Sequence, residues 1–134
     1  IARTAECAGV DAIIIPSKNS VSVNADAIKT SAGALHTIPV CREDNITKTI
    51  KYLKNCGIHI AGATEKGNQS YTKGTYDGPV CLIMGAEDRG IPQEHLALCD
   101  EWVKIPILGH IGSLNVSVAA GVLIYEIVKQ RNEE

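Results

Sequence analysis

Between Cys81 and Pro92 the chain reads CLIMGAEDRGIP, a short apolar run that drops into Gly85-Ala86-Glu87-Asp88-Arg89-Gly90. Glycine-rich turns between a strand and a helix often cradle phosphates. Here the Lys-Ser/Thr pair of a P-loop is missing, and Ala86-Glu87 stands where a dinucleotide fingerprint needs its middle glycine. A carboxylate at Glu87 would also repel a pyrophosphate at close range. A second stretch, IPILGHIGSLNVSVAAG at 105–121, carries Gly109, Gly112, Ser113 and Asn115 just ahead of an apolar helix. Backbone amides at such a junction are exposed donors, and glycines let a ligand approach the main chain. Together the two loops offer backbone donors and acceptors, aliphatic walls and a carboxylate, which suits an adenosine-type ligand that lacks phosphates and carries positive charge. The plainer alternative is that the glycines only turn the chain and the carboxylates are solvated.

The elements that must position these loops alternate between strand and helix. Residues 2–8 read as a helix stopped by Gly9. Residues 11–16, DAIIIP, form a β-branched run of the kind buried in a parallel sheet. A helix capped by Asn24 is expected over 24–35, then a brief strand over 37–41 whose proline favours an edge. Residues 45–56 are amphipathic: Ile46, Ile50 and Leu53 share one face, Lys48, Lys51 and Lys54 mostly face water, and Gly57 ends the helix. Strands follow at 58–63, 80–84 and 102–107, with a polar surface loop at 66–79, a short helix at 92–98 and a long helix at 116–131. The expected class is α/β, a mostly parallel sheet flanked by helices. Ligands in such sheets bind beyond the carboxyl ends of the strands, and both candidate loops leave strands in that way.

A chain of 134 residues suits one domain over 1–134, and 45% hydrophobic with 21% charged residues is an ordinary globular balance. With no Phe and one Trp, the core is expected to be aliphatic. No apolar run is long enough to span a bilayer, no signal-peptide pattern opens the chain, and no membrane partner is expected. The five cysteines lack CxxC spacing and read as buried thiols of a cytoplasmic protein, and the four histidines form no HxxxH or HxH pair, so no metal is expected. The net charge of −2 lacks the basic excess usual in nucleic-acid binders, so any RNA contact must use a local patch, a partner subunit or a further domain.

At its two loops the sequence resembles the SpoU-type (TrmH-like) branch of the SPOUT methyltransferases. MGAEDRG at 84–90 matches the MGxExxG motif, 105–121 matches the branch's last motif nearly throughout, and Arg3 in IARTAECAG looks like the terminal arginine of an Asn-x-Gly-x-x-x-Arg motif. The resemblance covers essentially the whole chain and is closest to the bacterial enzymes that methylate a guanosine ribose of 23S ribosomal RNA, with the tRNA guanosine enzymes as near relatives. It implies S-adenosylmethionine as cofactor, S-adenosylhomocysteine as product, an RNA partner, a homodimer with the site at the subunit boundary, and a deep trefoil knot in the C-terminal part. It also implies an N-terminal RNA-binding domain ahead of this one. Carried over by motif position, Met84, Gly85, Ile105 and Ile107 would hold the cofactor with Gly109, Ser113, Leu114 and Asn115. Gly85 would act through its backbone, and Ile105 and Leu114 would flank the adenine.

The implied reaction is displacement at a sulfonium methyl by a ribose oxygen, with the protein supplying position and charge. Arg3, Glu87 and Asn115 are the catalytic candidates. An arginine is a poor literal base because its guanidinium stays protonated. Arg3 therefore either orients the nucleotide through a bidentate phosphate contact while phosphate or water takes the proton, or has its proton affinity lowered by the site. Glu87 would anchor the arrangement, or it is a helix-entry carboxylate. Asn115 would cap the last helix, bind ligand, or both. Arg3, Lys18, Lys29 and Arg89 are the candidate RNA contacts, each weighed against simple solvation. A non-catalytic RNA-binding module on this fold and a nucleotide-binding, flavodoxin-like domain are the rival readings.

Overall fold

The computed structural model describes residues 1–17, 38–86, 89–110 and 114–132. They form two compact units, Ile1–Thr49 and Ile50–Glu134. In the first, helix α1 (Ala2–Ala8) stops at Gly9, whose φ of 79° is left-handed. Gly9 N–H then donates to Glu6 O, and Val10 N–H donates to Ala5 O at 2.9 Å, the closing bonds expected of a glycine C-cap. Strand β1 (Ile13–Pro16) pairs in parallel with β2 (Val40–Glu43), Ile13 opposite Val40 and Pro16 opposite Glu43. The second strand begins later than its sequence suggests. Pro39 has no N–H to give a ladder and contributes only its carbonyl, which accepts from Ile13 N at 2.9 Å. The helix expected over 24–35 lies outside the described residues.

Helix α2 (Ile46–Asn55) runs from the first unit into the second. Asn45 caps it, with Oδ1 accepting from Lys48 N at 3.0 Å. Ile50 is its buried anchor, and Gly57, at φ 86°, lets the chain turn away. Of the three lysines expected mostly to face water, Lys54 is the one with protein partners among the described residues: its Nζ donates to Leu98 O at 2.8 Å and lies 3.4 Å from Asp100 Oδ1.

The second unit is built on four parallel strands in the order β4-β6-β3-β5: β3 (His59–Ala63), β4 (Gln69–Ser70), β5 (Val80–Ile83) and β6 (Glu101–Lys104). Strand β3 is central, pairing with β5 (Gly62 opposite Ile83) on one side and β6 (Ala63 opposite Val103) on the other. Ile60, Ala61 and Val103 are wholly buried. The missing side chain at Gly62 makes room: a Cβ there would sit 2.8 Å from Cys99 Sγ and against Ile91 and Leu96. Those residues lead into and out of the short helix α3 (Gln93–Leu96), entered through Pro92. Helix α4 (Val116–Asn132) closes the unit, with Ala120 and Leu123 buried.

Two expectations fail here. Residues 66–79 are more than a surface loop, because β4, a 3-10 turn at Tyr71–Lys73 and the fully buried Tyr76 all lie within them. Tyr76 Oη donates to Tyr71 O at 2.8 Å, which is why a polar-tipped ring can be the largest fully buried side chain among the described residues, in a core expected to be aliphatic. Glu101 ties the segment down by accepting from Gln69 Nε2 at 3.0 Å and Thr75 N at 2.8 Å. Gln130 and Arg131 of α4 hold it from the other side through the carbonyls of Thr72, Tyr76 and Gly78. The cysteines are not uniformly buried either: Cys7, Cys41 and Cys56 are exposed. Only Cys81 and Cys99 are partly enclosed, and burial pushes both thiols up, Cys99 to about 11.

Burial, with the charges of Glu101 and Glu126, pushes the Tyr76 phenol from 10.0 to about 12. The folded protein thus holds this proton more tightly than the unfolded chain does. The tyrosine's contribution to stability is intact below pH 10 and is lost as pH rises from 10.0 to about 12. In thermal unfolding across that window, the advantage of wild type over Tyr76→Phe should narrow as pH rises; a constant gap would contradict the assignment.

Candidate functional site

Strands β5 and β6 both run parallel to β3 and flank it. Their carboxyl ends therefore open on the same edge of the sheet, about 10 Å apart at two strand spacings. The residues that follow them are the two loops singled out by their composition.

The first loop closes on itself. Ala86 and Gly90 form an isolated antiparallel bridge, with Gly90 N donating to Ala86 O at 2.8 Å. Its two glycines are needed for different reasons. Gly90 has a φ of 69°, the left-handed region that favours glycine. Gly85 is needed for space: a Cβ there would lie 2.4 Å from the Gly90 carbonyl carbon and 2.5 Å from Ile91 N. Met84 and Gly85 are half-buried at the strand end, and Arg89 is exposed on the loop. Glu87 lies outside the described residues.

The second loop follows a shorter strand than its apolar run suggests. The ladder ends at Lys104, where the pairing with Ser70 stops, and Pro106 has no N–H to extend it. Ile105 to Leu108 thus continue as unpaired chain, with Ile107 40%, Leu108 96% and Leu114 40% exposed. Leu108 was not among the expected site residues; the signal was available in an aliphatic run that outlasts its strand. At Gly109 a Cβ would meet nothing within 4 Å, so the described residues leave room for a side chain there. Asn115 caps α4, its Oδ1 accepting from Ser117 N at 2.8 Å and Val118 N at 3.4 Å. Gly112 and Ser113 lie outside the described residues, as do Lys18 and Lys29. Arg3 is exposed on α1 in the first unit.

The described residues fit a phosphate-free adenosine. A tight backbone turn and an exposed aliphatic stretch follow two strands that end on one sheet edge, and neither Lys nor Ser/Thr follows Gly90 to bind phosphate. The sequence profile of the SpoU rRNA Methylase family matches residues 1–125. The chain belongs to that family.

Among SpoU relatives, it is 39% identical over 133 residues to a Staphylococcus haemolyticus protein named for the TrmH family of tRNA/rRNA methyltransferases, covering 99% of this chain and 53% of that one. It is 38% identical over 130 residues to the 23S rRNA (guanosine-2'-O-)-methyltransferase RlmB of Photorhabdus laumondii, covering 97% of this chain and 53% of that one. The crystal structure of the SpoU methyltransferase AviRb from Streptomyces viridochromogenes, in complex with AdoMet, superposes with a TM-score of 0.92 at 26% identity, covering 100% of this chain and 55% of that one. The chain thus spans about half the length of the curated relatives it matches. Among the described residues, no helix is long and apolar enough to cross a membrane.

Proposed function

We propose that this chain is the catalytic part of an S-adenosylmethionine-dependent RNA 2′-O-ribose methyltransferase that acts on a guanosine of 23S ribosomal RNA in the cytoplasm. The observation that carries the reading is that β5 and β6 end on one sheet edge, so the chain that follows Ile83 and the chain that follows Lys104 both leave from it. The ribosomal substrate is supported by the likeness to RlmB. A tRNA guanosine is the second reading, favoured by the TrmH-family relative whose name covers both RNA classes.

When bound, S-adenosylmethionine supplies an electrophilic methyl on a positively charged sulfur. The chain's own residues then have three tasks. The main chain at Gly85 and the aliphatic side chains of Ile105, Ile107 and Leu114 hold and flank the adenosine, with Met84, Gly109 and Ser113 completing the wall. Arg3, aided by Arg89, Lys18 and Lys29, binds RNA phosphate; its planar fork fixes the nucleotide so that the ribose 2′ oxygen faces the methyl carbon. The bound cofactor would supply its methyl group to that oxygen, its C–S bond breaking as the O–C bond forms, and the hydroxyl proton would pass to a phosphate oxygen or water. Glu87 anchors this arrangement, and Asn115 fixes the entry to α4 beside the ligand.

The trefoil knot and the homodimer belong to the same reading, as does an RNA-binding domain outside this stretch. The dimer is supported by α4, an apolar helix that leaves Val118 54% and Tyr125 47% exposed, seven residues apart on one face. A Val118→Asp/Tyr125→Asp variant should sediment as a monomer where the wild type sediments as a dimer. The function itself is tested by mapping 2′-O-methyl positions in ribosomal and transfer RNA from cells with and without the gene. Loss of one methylguanosine in 23S rRNA is expected; an unchanged map in both RNAs would overturn the proposal.

A further inference from the structure

Helix α2 carries a feature that the methyl-transfer site does not use. Lys48, Lys51, Tyr52 and Asn55 are spaced i, i+3, i+4 and i+7, so they share one face. All four are exposed, Tyr52 at 67%. The opposite face holds the buried Ile50, so the stripe contributes nothing to packing around that anchor. The helix contains no acidic residue, although the whole chain has a net charge of −2. Lys54, the third lysine, is occupied by Leu98 O and Asp100. Lys48 and Lys51 make no ion pair among the described residues.

Two exposed ammonium groups beside a tyrosine ring that is two-thirds exposed match the needs of a single-stranded nucleic acid. Lysines neutralise phosphates, and an aromatic face stacks a base without regard to its identity. An asparagine one turn further on adds hydrogen-bonding groups. A protein partner would more often meet an apolar anchor ringed by polar groups, and this stripe has no aliphatic member.

We infer that the Lys48–Lys51–Tyr52–Asn55 face of α2 is an RNA-binding surface that grips an unpaired stretch of the substrate outside the reacting nucleotide. The inference rests on the RNA-methyltransferase reading. It places two phosphates on Lys48 and Lys51 and one base on the Tyr52 ring.

The test is fluorescence anisotropy of the full protein with a fluorescein-labelled single-stranded RNA of mixed sequence, across a range of KCl concentrations. Lys48→Ala/Lys51→Ala should bind about tenfold more weakly and lower the slope of log affinity against log salt by about 1.4, the loss of two phosphate contacts to a single strand. Tyr52→Ala should weaken binding about tenfold with the slope unchanged, and Tyr52→Phe should bind as wild type because the stacking face remains. S-adenosylhomocysteine affinity should be the same in all variants, which shows them folded. If wild type binds RNA and transfers methyl groups while both alanine variants match it, the surface is wrong and the stripe belongs to another kind of partner. If wild type binds S-adenosylhomocysteine but no RNA, the functional reading and the surface fall together.

Discussion

Replacing Arg3 by alanine is expected to lower methyl transfer to RNA by about a hundredfold or more, the range typical for removing a group that acts on the reacting centre. S-adenosylhomocysteine affinity should stay within about twofold of wild type, because the residues proposed to hold the adenosine all belong to the 84–90 and 105–115 loops. Arg3→Lys should recover little, since a lysine keeps the charge but loses the planar two-pronged contact. Transfer of a labelled methyl group to RNA, measured beside cofactor binding on the same preparations, separates the two effects. Turnover close to wild type in Arg3→Ala would remove Arg3 from the mechanism and leave the loops as a binding site only.

The second large effect is expected at Gly85. A Cβ at this position would lie 2.4 Å from the Gly90 carbonyl carbon, 2.5 Å from Ile91 N and 2.7 Å from Gly90 Cα, all of them backbone. No rotamer change can relieve such contacts, so the turn must open. Gly90 sits at a φ of 69° and its amide is bonded to Ala86 O, which fixes that side of the loop. Ile91 follows immediately and is buried over Gly62, so displacement there propagates into the core. Gly85→Ala should therefore lose about a hundredfold or more in S-adenosylhomocysteine affinity. A stability cost of about 1–3 kcal/mol, the usual range for overpacking, should accompany it. Gly109→Ala is the informative contrast. Nothing lies within 4 Å of its Cβ, so its melting temperature should match wild type, and a fall in affinity there would report a ligand close to the main chain.

Much of this was legible in the sequence because local chemistry and tertiary position agree. Glycines at 9 and 57 end helices at φ 79° and 86° as their placement after periodic apolar runs suggests. Asn115 before an apolar run caps a helix, as an Asn in that place should. The parallel sheet followed from short aliphatic runs separated by helices, and the two loops followed from their glycines and flanking strands. The rest depended on contacts that periodicity does not encode. Tyr76 lies in a polar segment and is buried only because Tyr71 O, Glu101, Gln130 and Arg131 enclose and satisfy its surroundings, from up to 55 residues away. The exposed thiols of Cys7, Cys41 and Cys56 sit at element ends or outward faces, where neighbouring apolar residues say little about burial. Lys54 is drawn from the solvated face by Asp100, whose carboxylate is held below its ordinary range by the hydrogen bond from Ile60 N and then by Lys54 itself.

The most direct measurement is a calorimetric titration of the protein with S-adenosylhomocysteine, set beside ATP and NAD under identical conditions. S-adenosylhomocysteine should bind in the micromolar range while neither phosphate-bearing nucleotide does. Equal binding of ATP or NAD, or no binding of S-adenosylhomocysteine by folded protein, would contradict a site built for an adenosine without phosphates.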